Sequence, residues 1–350
     1  MKVLEKREIV EQNLVDHTLL ERDIMGALRD DPFVVHLHYS FQTADHLYFV
    51  MDLCAGGSLF YHLRRTRNLS FQESTARFYC SEILLALSTL HKFDIVYRDL
   101  KLENILLTES GHVKLSDFGL SHQLYKERGG GRPRIKSFSG TPLYMAPEVF
   151  SQEEDDKGHG KSVDLWSLGV ALHLMLTGEA PFWKDDVTSL IRSIQHDALE
   201  LSRFSSSLSG AALALLSGLL TRDPTQRLGC GKNEKENEKK RDKELQDVFD
   251  HEWFSGVDWE RVKNLEMDPP FIPGDISELL SPGGNAVLPK ESPGKKDSAK
   301  TLRLNRFTYC PAEGKKLQKK LQAKSEWRTC SIQEVKEGKQ KRKFTFGSRK

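Results

Sequence analysis

The stretch Tyr97-Arg98-Asp99-Leu100-Lys101-Leu102-Glu103-Asn104 decides how this chain of 350 residues is interpreted. It places an aspartate and an asparagine five positions apart, with a lysine between them, on a polar stretch between apolar segments. Such a loop can direct several polar groups at one point. Two triplets follow in order, Asp117-Phe118-Gly119 and Ala146-Pro147-Glu148. Each triplet alone is compatible with an ordinary turn, so the order of the three motifs is the informative feature.

Apolar patterns on both sides of this loop predict a small sheet and a larger group of helices. Residues 47–51 are typical of a buried strand, and residues 105–107 and 112–115 are typical of a hairpin. Ser70-x-x-Glu73 predicts a capping box at the start of a helix. Residues 164–176 are apolar almost all round, which indicates a central helix. The chain is therefore predicted to belong to the α+β class.

The net charge of +2 hides an asymmetry along the chain. Residues 290–350 hold 19 basic and 6 acidic residues, a net charge of +13, so residues 1–289 carry −11. A hydrophobic content of 38% excludes a wholly disordered or fibrous chain, and no run is long and apolar enough for a membrane helix. The five cysteines form no Cys-x-x-Cys pair. This favours a reducing compartment, so we expect the chain in the cytoplasm, the nucleus or both.

In this order the three motifs form the signature set of protein kinases, and the chain resembles a serine/threonine kinase of the AGC group. The group resemblance rests on Tyr-Arg-Asp in place of His-Arg-Asp, and on the segments Ser137-Phe138-Ser139-Gly140-Thr141-Pro142, His251-Glu252-Trp253-Phe254 and Pro269-Pro270-Phe271-Ile272-Pro273. Within the group, residues 31–43 and 101–107 are most similar to the N-terminal kinase of the mitogen- and stress-activated kinases, in the ribosomal-protein kinase branch.

The resemblance implies an α+β, bilobal protein-kinase fold with a truncated N-terminal β-lobe, a helical C-lobe and an extended C-terminal tail. Residues 1–254 form the kinase domain, with an incomplete N-lobe at 1–52 and a C-lobe at 56–254. Residues 255–312 correspond to the AGC-type tail, and residues 313–350 are a basic segment expected to be disordered. We expect a monomer whose partners are protein substrates and upstream kinases, with neither a membrane nor a nucleic acid as a partner.

The implied reaction is the transfer of the γ-phosphoryl group of ATP to protein Ser and Thr hydroxyls in intracellular signalling, with Mg²⁺ as the metal. Phosphoryl transfer requires positioning and charge neutralisation more than covalent help from the protein. By resemblance, Asp99 accepts or orients the substrate hydroxyl proton, and Lys101 faces the transferring phosphate. Asn104 and Asp117 are expected to hold Mg²⁺.

The resemblance also implies a set of nucleotide-binding residues. Lys2 is expected to bind the α- and β-phosphates and to pair with Glu21, which lies 19 residues further on in a helical segment. Met51 occupies the gatekeeper position, and Leu106 is expected to pack under the base. The backbone of the hinge is expected to meet adenine, and the hinge contains Asp52, Leu53 and Cys54. A regulatory spine, tied to the central helix through Asp164, is expected to comprise Met25, Leu37, Tyr97 and Phe118.

A Gly-rich loop covers the ATP phosphates in the family and should precede Lys2, but only Met1 does. This leaves two explanations open: a fragment or shortened isoform of an active kinase, or a catalytically impaired, pseudokinase-like docking protein or scaffold. The segment Lys341-Arg342-Lys343 is compatible with a nuclear import signal or a nucleic-acid contact. A solvated, disordered tail is the more common explanation of such a basic segment, and we favour it.

Regulation and substrate choice give further expectations. Ser137 aligns with the activation-loop phosphosite of the group, Ser292 with a turn-motif site, and Thr308 with a hydrophobic-motif site. Ser58 and Leu174 stand where the group often has Glu, which weakens a preference for arginine in the substrate. A structural ion pair is expected between Glu148 and Arg227.

Overall fold

A computed structural model describes residues 1–124, 135, 139–150, 159–230, 245–273, 301–304, 307–322 and 332–335. The chain divides into two compact units. Unit 1 comprises Met1–Asp30, Val35–Leu53 and the described residues within Gly274–Lys350. Unit 2 comprises Asp31–Val34 and the described residues within Cys54–Pro273. The chain passes from unit 1 to unit 2 between Leu53 and Cys54, inside the segment predicted as the hinge.

The regular elements are named here in chain order. The strands are β1 (Lys2–Glu5), β2 (Leu37–Gln42), β3 (His46–Met51), β4 (Gly57–Ser58), β5 (Ile95–Val96), β6 (Ile105–Leu107), β7 (Val113–Leu115), β8 (His122–Gln123), β9 (Thr301–Leu304) and β10 (Ile332–Val335). The helices are α1 (Lys6–Glu11), α2 (Val15–Ala27), α3 (Leu59–Arg65), α4 (Glu73–Lys92), α5 (Ser162–Thr177), α6 (Val187–His196), α7 (Gly210–Leu219), α8 (Gln246–Phe249), α9 (Trp259–Lys263) and α10 (Gly314–Gln322).

Unit 1 contains a three-stranded antiparallel sheet in the order β1-β3-β2. The register places Lys2 opposite Phe49 and Leu37 opposite Met51. Strand β3 covers the apolar run predicted as a buried strand, and helix α2 covers the helical segment predicted around Glu21. Strands β9 and β10 form a separate antiparallel pair.

Unit 2 is mainly helical, with the predicted hairpin formed by β6 and β7. Its turn needs Gly111, whose φ of +91° lies in the left-handed region that favours glycine. Helix α5 is buried over nearly its whole length, as its continuous apolar sequence predicts. It ends at Gly178, a left-handed C-cap with φ +76°. The bilobal α+β prediction is therefore confirmed in its sheet-bearing and helical parts.

The predicted capping box at Ser70 is wrong. Helix α4 begins at Glu73 with Gln72 as the N-cap, and no side chain caps its first turn. The Glu73 carboxylate accepts hydrogen bonds from the backbone N–H and hydroxyl of Ser209, at 2.6 and 2.8 Å, and from Trp253 Nε1 at 3.1 Å. In a capping box, the Glu73 carboxylate would accept a hydrogen bond from the backbone N–H of the N-cap residue. Here its oxygens are bound by donors from distant parts of the chain instead.

Part of the basic segment expected to be disordered is helical. Residues 314–322 form helix α10, and its Leu317 packs against Gly26 of α2. Earlier in the tail, the extended Pro-Pro-Phe-Ile-Pro segment belongs to unit 2, where the Phe271 ring lies 4.9 Å from the His62 ring. Several predicted features fall outside the described residues, among them Ser137, Ser292 and the basic segment 341–343. Among the helices that are described, none is long and apolar enough to cross a membrane.

Candidate active site

Asp99 is the centre of a hydrogen-bond cluster in unit 2. The Lys101 Nζ donates to Asp99 Oδ2 at 2.8 Å and to Thr141 Oγ1 at 3.0 Å. The Thr141 hydroxyl donates in turn to Asp99 Oδ1 at 3.1 Å. The Asn104 Nδ2 donates to the backbone oxygen of Asp99 at 2.9 Å and to its Oδ2 at 2.8 Å. The structure therefore brings together three of the predicted residues on one buried carboxylate.

Thr141 is a member of this cluster that the sequence did not single out. It lies 42 residues after Asp99, so the loop motif gives no indication of the contact. The available signal was the Ser-Gly-Thr-Pro segment, which supported the family resemblance without a role for the threonine.

The loop is anchored to helix α5 by the buried carboxylate of Asp164. Its Oδ1 accepts from the Arg98 backbone N–H at 2.8 Å, and its Oδ2 accepts from the Tyr97 N–H at 2.9 Å and from His91 Nε2 at 2.8 Å. Arg98 has φ +67°, in the left-handed region, and these bonds offset the cost of that conformation. The predicted link between the loop and the central helix is confirmed.

Asp117 is exposed and follows strand β7, in a left-handed conformation with φ +55°. The Gly119 N–H lies 3.4 Å from its Oδ1. The next residue, Phe118, is buried with its ring 5.3 Å from the Tyr97 ring, and the Tyr97 hydroxyl donates to the Ser116 carbonyl. These two spine residues therefore meet within unit 2. The other two, Met25 and Leu37, are buried residues of unit 1.

Burial controls the charge state of the groups beside the cluster. Burial, reinforced by the charges of Asp99, Asp117 and Asp164, raises the pKa of Tyr97 well above its usual value. Burial lowers the pKa of the Arg98 guanidinium to about 10, although the charge of Asp164 opposes this shift. At neutral pH Tyr97 is therefore a neutral hydrogen-bond donor and Arg98 remains charged.

The donor set fits Mg²⁺. Because the Asn104 Nδ2 is directed at Asp99, the amide oxygen remains as its ligand atom, and the Asp117 carboxylate is exposed. Carboxylate and amide oxygens are the ligands that Mg²⁺ prefers. No group of three His, Cys, Asp or Glu residues suited to a metal occurs in the described part of the chain, so the asparagine is essential to this assignment.

Unit 1 holds the predicted phosphate-binding lysine. The Lys2 Nζ lies 2.7 Å from Glu21 Oε1, so the two residues are in contact as the resemblance implies. Glu21 is buried in α2, and Lys2 is the first residue of strand β1, opposite Phe49 of β3. Met51 ends strand β3 and is half-buried. The Asp52 carboxylate accepts from the His36 N–H at 3.3 Å and lies 2.8 Å from His38 Nε2, which fixes the start of the predicted hinge.

The remaining predicted nucleotide residues are divided between the units. The Leu53 side chain is exposed in unit 1, which is compatible with a hinge that contacts adenine through its backbone. In unit 2, Cys54 is half-buried, and Leu106 is half-buried in the middle of strand β6.

Two departures from the acidic substrate pattern have local explanations. Ser58 is the N-cap of helix α3, where its Oγ accepts from the Tyr61 N–H at 3.2 Å. Leu174 is half-buried within the apolar helix α5. The expected ion pair is confirmed: Arg227 makes a bidentate contact with Glu148, at 2.6 and 2.8 Å.

Thr308 lies in unit 1 between two buried aromatic residues and is itself exposed. The Phe307 ring contacts Phe49 edge-on at 5.2 Å between centroids. Tyr309 pairs with Ser40 through two backbone hydrogen bonds, of 3.0 and 3.2 Å. Thr308 is thus exposed to solvent, whereas Ser137 and Ser292 lie outside the described residues.

Comparison with known proteins agrees with this geometry. The family model described as "Protein kinase domain" matches residues 1–254. RAC-beta serine/threonine-protein kinase of Rattus norvegicus is 39% identical over 316 residues, covering 89% of this chain and 61% of that protein. The RAC family serine/threonine-protein kinase homolog of Dictyostelium discoideum is 44% identical over 275 residues, covering 78% of this chain and 55% of that protein.

Fold, cluster and family match together define a protein of the kinase class. The chain belongs to the protein kinase domain family. Both relatives are named serine/threonine-protein kinases of the RAC type, and the chain spans 61% of the length of the first and 55% of the second.

Proposed function

We propose that the chain transfers the γ-phosphoryl group of Mg-ATP to Ser or Thr hydroxyls of protein substrates. The cluster in which Lys101, Asn104 and Thr141 all bind Asp99 carries this proposal. It fixes one carboxylate and one ammonium group side by side, which is the arrangement that phosphoryl transfer requires.

Asp99 orients the hydroxyl of the substrate and accepts its proton as the new O–P bond forms and the bond from the γ-phosphorus to the ADP leaving group breaks. The donors from Asn104 and Thr141 fix the direction of the carboxylate, so little reorganisation is needed during the reaction. The Lys101 Nζ, 2.8 Å from Asp99, stabilises the negative charge of the transferring group. Asn104 and Asp117 would hold Mg²⁺, which neutralises phosphate charge when bound.

In unit 1, Lys2 binds the α- and β-phosphates of ATP. Glu21 keeps the Nζ in place across a distance of 2.7 Å. Because Glu21 is buried and Lys2 is partly exposed, the pair presents one positive group to solvent with its carboxylate behind it.

We further propose that upstream kinases act on Ser137 and Thr308, and that Ser292 is a third phosphosite. The exposure of Thr308 between buried neighbours supports this for the described site. The finer assignment to the mitogen- and stress-activated branch, and the cytoplasmic or nuclear location, stay predictions of the sequence.

Radiolabel transfer to a basic protein substrate tests the proposal. The wild-type chain should incorporate γ-labelled phosphate in the presence of Mg²⁺, and Asp117→Ala should reduce incorporation to background. Asp117 is exposed but has a left-handed backbone, so the variant should lose no more than about 1–2 kcal/mol of stability. Its thermal unfolding midpoint shows that it remains folded. Equal incorporation by the two chains would refute the proposal, as would a wild-type chain that binds Mg-ATP and transfers nothing.

A further inference from the structure

Helix α10 contacts α2 at Gly26, beyond the aromatic residues of the tail. A Cβ at Gly26 would lie 3.1 Å from Leu317 Cδ1 and 2.8 Å from Tyr309 Cε2. On the facing segment, a Cβ at Gly314 would lie 3.0 Å from Gly26 O and 3.0 Å from Arg29 Cδ. Because neither glycine has a side chain, α10 lies closer to α2 than it could with any other residue at positions 26 and 314.

Packing of the tail explains why α2 contains a glycine. Glycine inside a helix costs about 1 kcal/mol relative to alanine. The Tyr309 ring cannot retreat from Gly26, because its hydroxyl donates to Gly26 O at 3.2 Å and its backbone is paired with Ser40. The Arg29 Nη1 donates to Pro311 O at 3.1 Å and fixes the chain between the aromatic residues and α10. Gly26 thus leaves the space in which Tyr309 and Leu317 of the tail pack against α2.

Helix α10 depends on α2 for its stability. It has nine residues, and an isolated helix in water needs about 12–15 to be even marginally stable. Lys315 and Lys316 lie in its first turn, where positive charge opposes the helix dipole. Leu317 is partly buried while Lys315, Lys316 and Lys319 are exposed. The helix therefore forms where Leu317 finds its site on α2.

The same helix α2 carries Glu21, five residues before Gly26, or about 7.5 Å along the helix axis. We propose that α10 is a latch on α2, and that Gly26 and Leu317 are positioning residues that keep Glu21 within reach of Lys2. The latch acts separately from the aromatic contact of Phe307 and from modification at Thr308. Its effect on catalysis rests on the proposed phosphoryl transfer, whereas its effect on α2 does not.

The test compares Leu317→Ala with Lys316→Ala in the full chain. Both variants introduce alanine into α10, but only the first removes the contact with Gly26. Hydrogen–deuterium exchange is measured for residues 15–27 and 314–322, together with kcat/KM for ATP. We expect Leu317→Ala to accelerate exchange in both helices about tenfold and to lower kcat/KM about three- to tenfold, since local opening follows the loss of buried contacts. Lys316→Ala should change neither by more than about twofold, and Leu317→Met should restore both values.

Two results would overturn the latch. One is unchanged exchange in residues 15–27 when α10 exchanges faster, since α10 would then dock without holding α2. The other is a Gly26→Ala variant whose residues 314–322 exchange at the wild-type rate, because a Cβ at Gly26 would lie 3.1 Å from Leu317 Cδ1 and should displace α10. Exchange requires no catalysis. A wild-type chain without transferase activity would therefore refute the proposed function, while the exchange data would still decide the latch.

Discussion

Replacement of Arg227 by methionine is expected to destabilise unit 2 strongly. Two of its N–H groups donate to the Glu148 carboxylate, at 2.6 and 2.8 Å. The others donate to the backbone oxygens of Ser162 and Thr221, both at 2.8 Å, and of Arg222 at 3.2 Å. The side chain of Arg227 is 0% exposed and that of Glu148 14% exposed. Every donor of the guanidinium is therefore used inside the protein.

Methionine would fill part of the space but would donate no hydrogen bond. Among the residues that the structure describes, the Ser162 hydroxyl, 3.1 Å away, would be the donor left to the Glu148 carboxylate. Three carbonyls would lose a donor. Removal of one partner from a buried ion pair costs about 3–5 kcal/mol. The Arg203–Glu179 pair is a matched control, since its side chains are 49% and 58% exposed at a distance of 2.5 Å. An exposed pair of this kind contributes about 0–1 kcal/mol.

Urea unfolding followed by circular dichroism measures the free energy of unfolding of each variant. Arg227→Met should lower it by about 3–5 kcal/mol at an unchanged slope, and Arg203→Met by no more than about 1 kcal/mol. If both variants lost the same small amount, the pair would have no special structural role, and the reasoning from burial would be refuted.

Two further predictions concern Thr141 in the Asp99 cluster and Glu73 at the N-terminus of helix α4. Thr141→Val should lower kcat about tenfold and leave the KM for ATP unchanged, because Asp99 loses one orienting donor. Thr141→Ser keeps the hydroxyl and should recover the rate. Equal kcat values for Thr141→Val and wild type would contradict this prediction. Burial of Glu73 opposes its ionisation, yet the hydrogen bonds from Ser209 and Trp253 hold the pKa of Glu73 below its ordinary value of 4.5. Its contribution to stability should be complete above pH 4.5 and disappear as the pH falls through the lowered pKa. The difference in thermal midpoint between wild type and Glu73→Gln should therefore shrink in acid, and a constant difference would exclude this linkage.

The parts predicted well from sequence are those in which neighbouring residues carry the information. The loop from Tyr97 to Asn104 places its polar groups within eight residues, so its sequence already indicates a site. Helix α5 is apolar on all sides, and its burial follows from composition. The Lys2–Glu21 pair is different, since only the family resemblance connected two residues 19 positions apart.

The parts that sequence did not predict depend on contacts between distant segments. Thr141 reaches Asp99 from 42 residues away, and Glu73 is diverted from its own helix by Ser209, 136 residues further on. The tail helix α10 is rich in lysine, so its composition resembled a solvated segment. Its order comes from one leucine fitting beside a glycine of another helix, which no local pattern reveals.

The most direct measurement of the central claim is single-turnover transfer from γ-labelled Mg-ATP to a serine-containing peptide, by the wild-type chain and by Asp99→Asn. The substitution removes the proton acceptor and keeps the size of the side chain. We predict a loss of at least about 100-fold in the transfer rate, with Mg-ATP affinity unchanged. Transfer by Asp99→Asn at the wild-type rate would contradict the assignment of this cluster as the site of phosphoryl transfer.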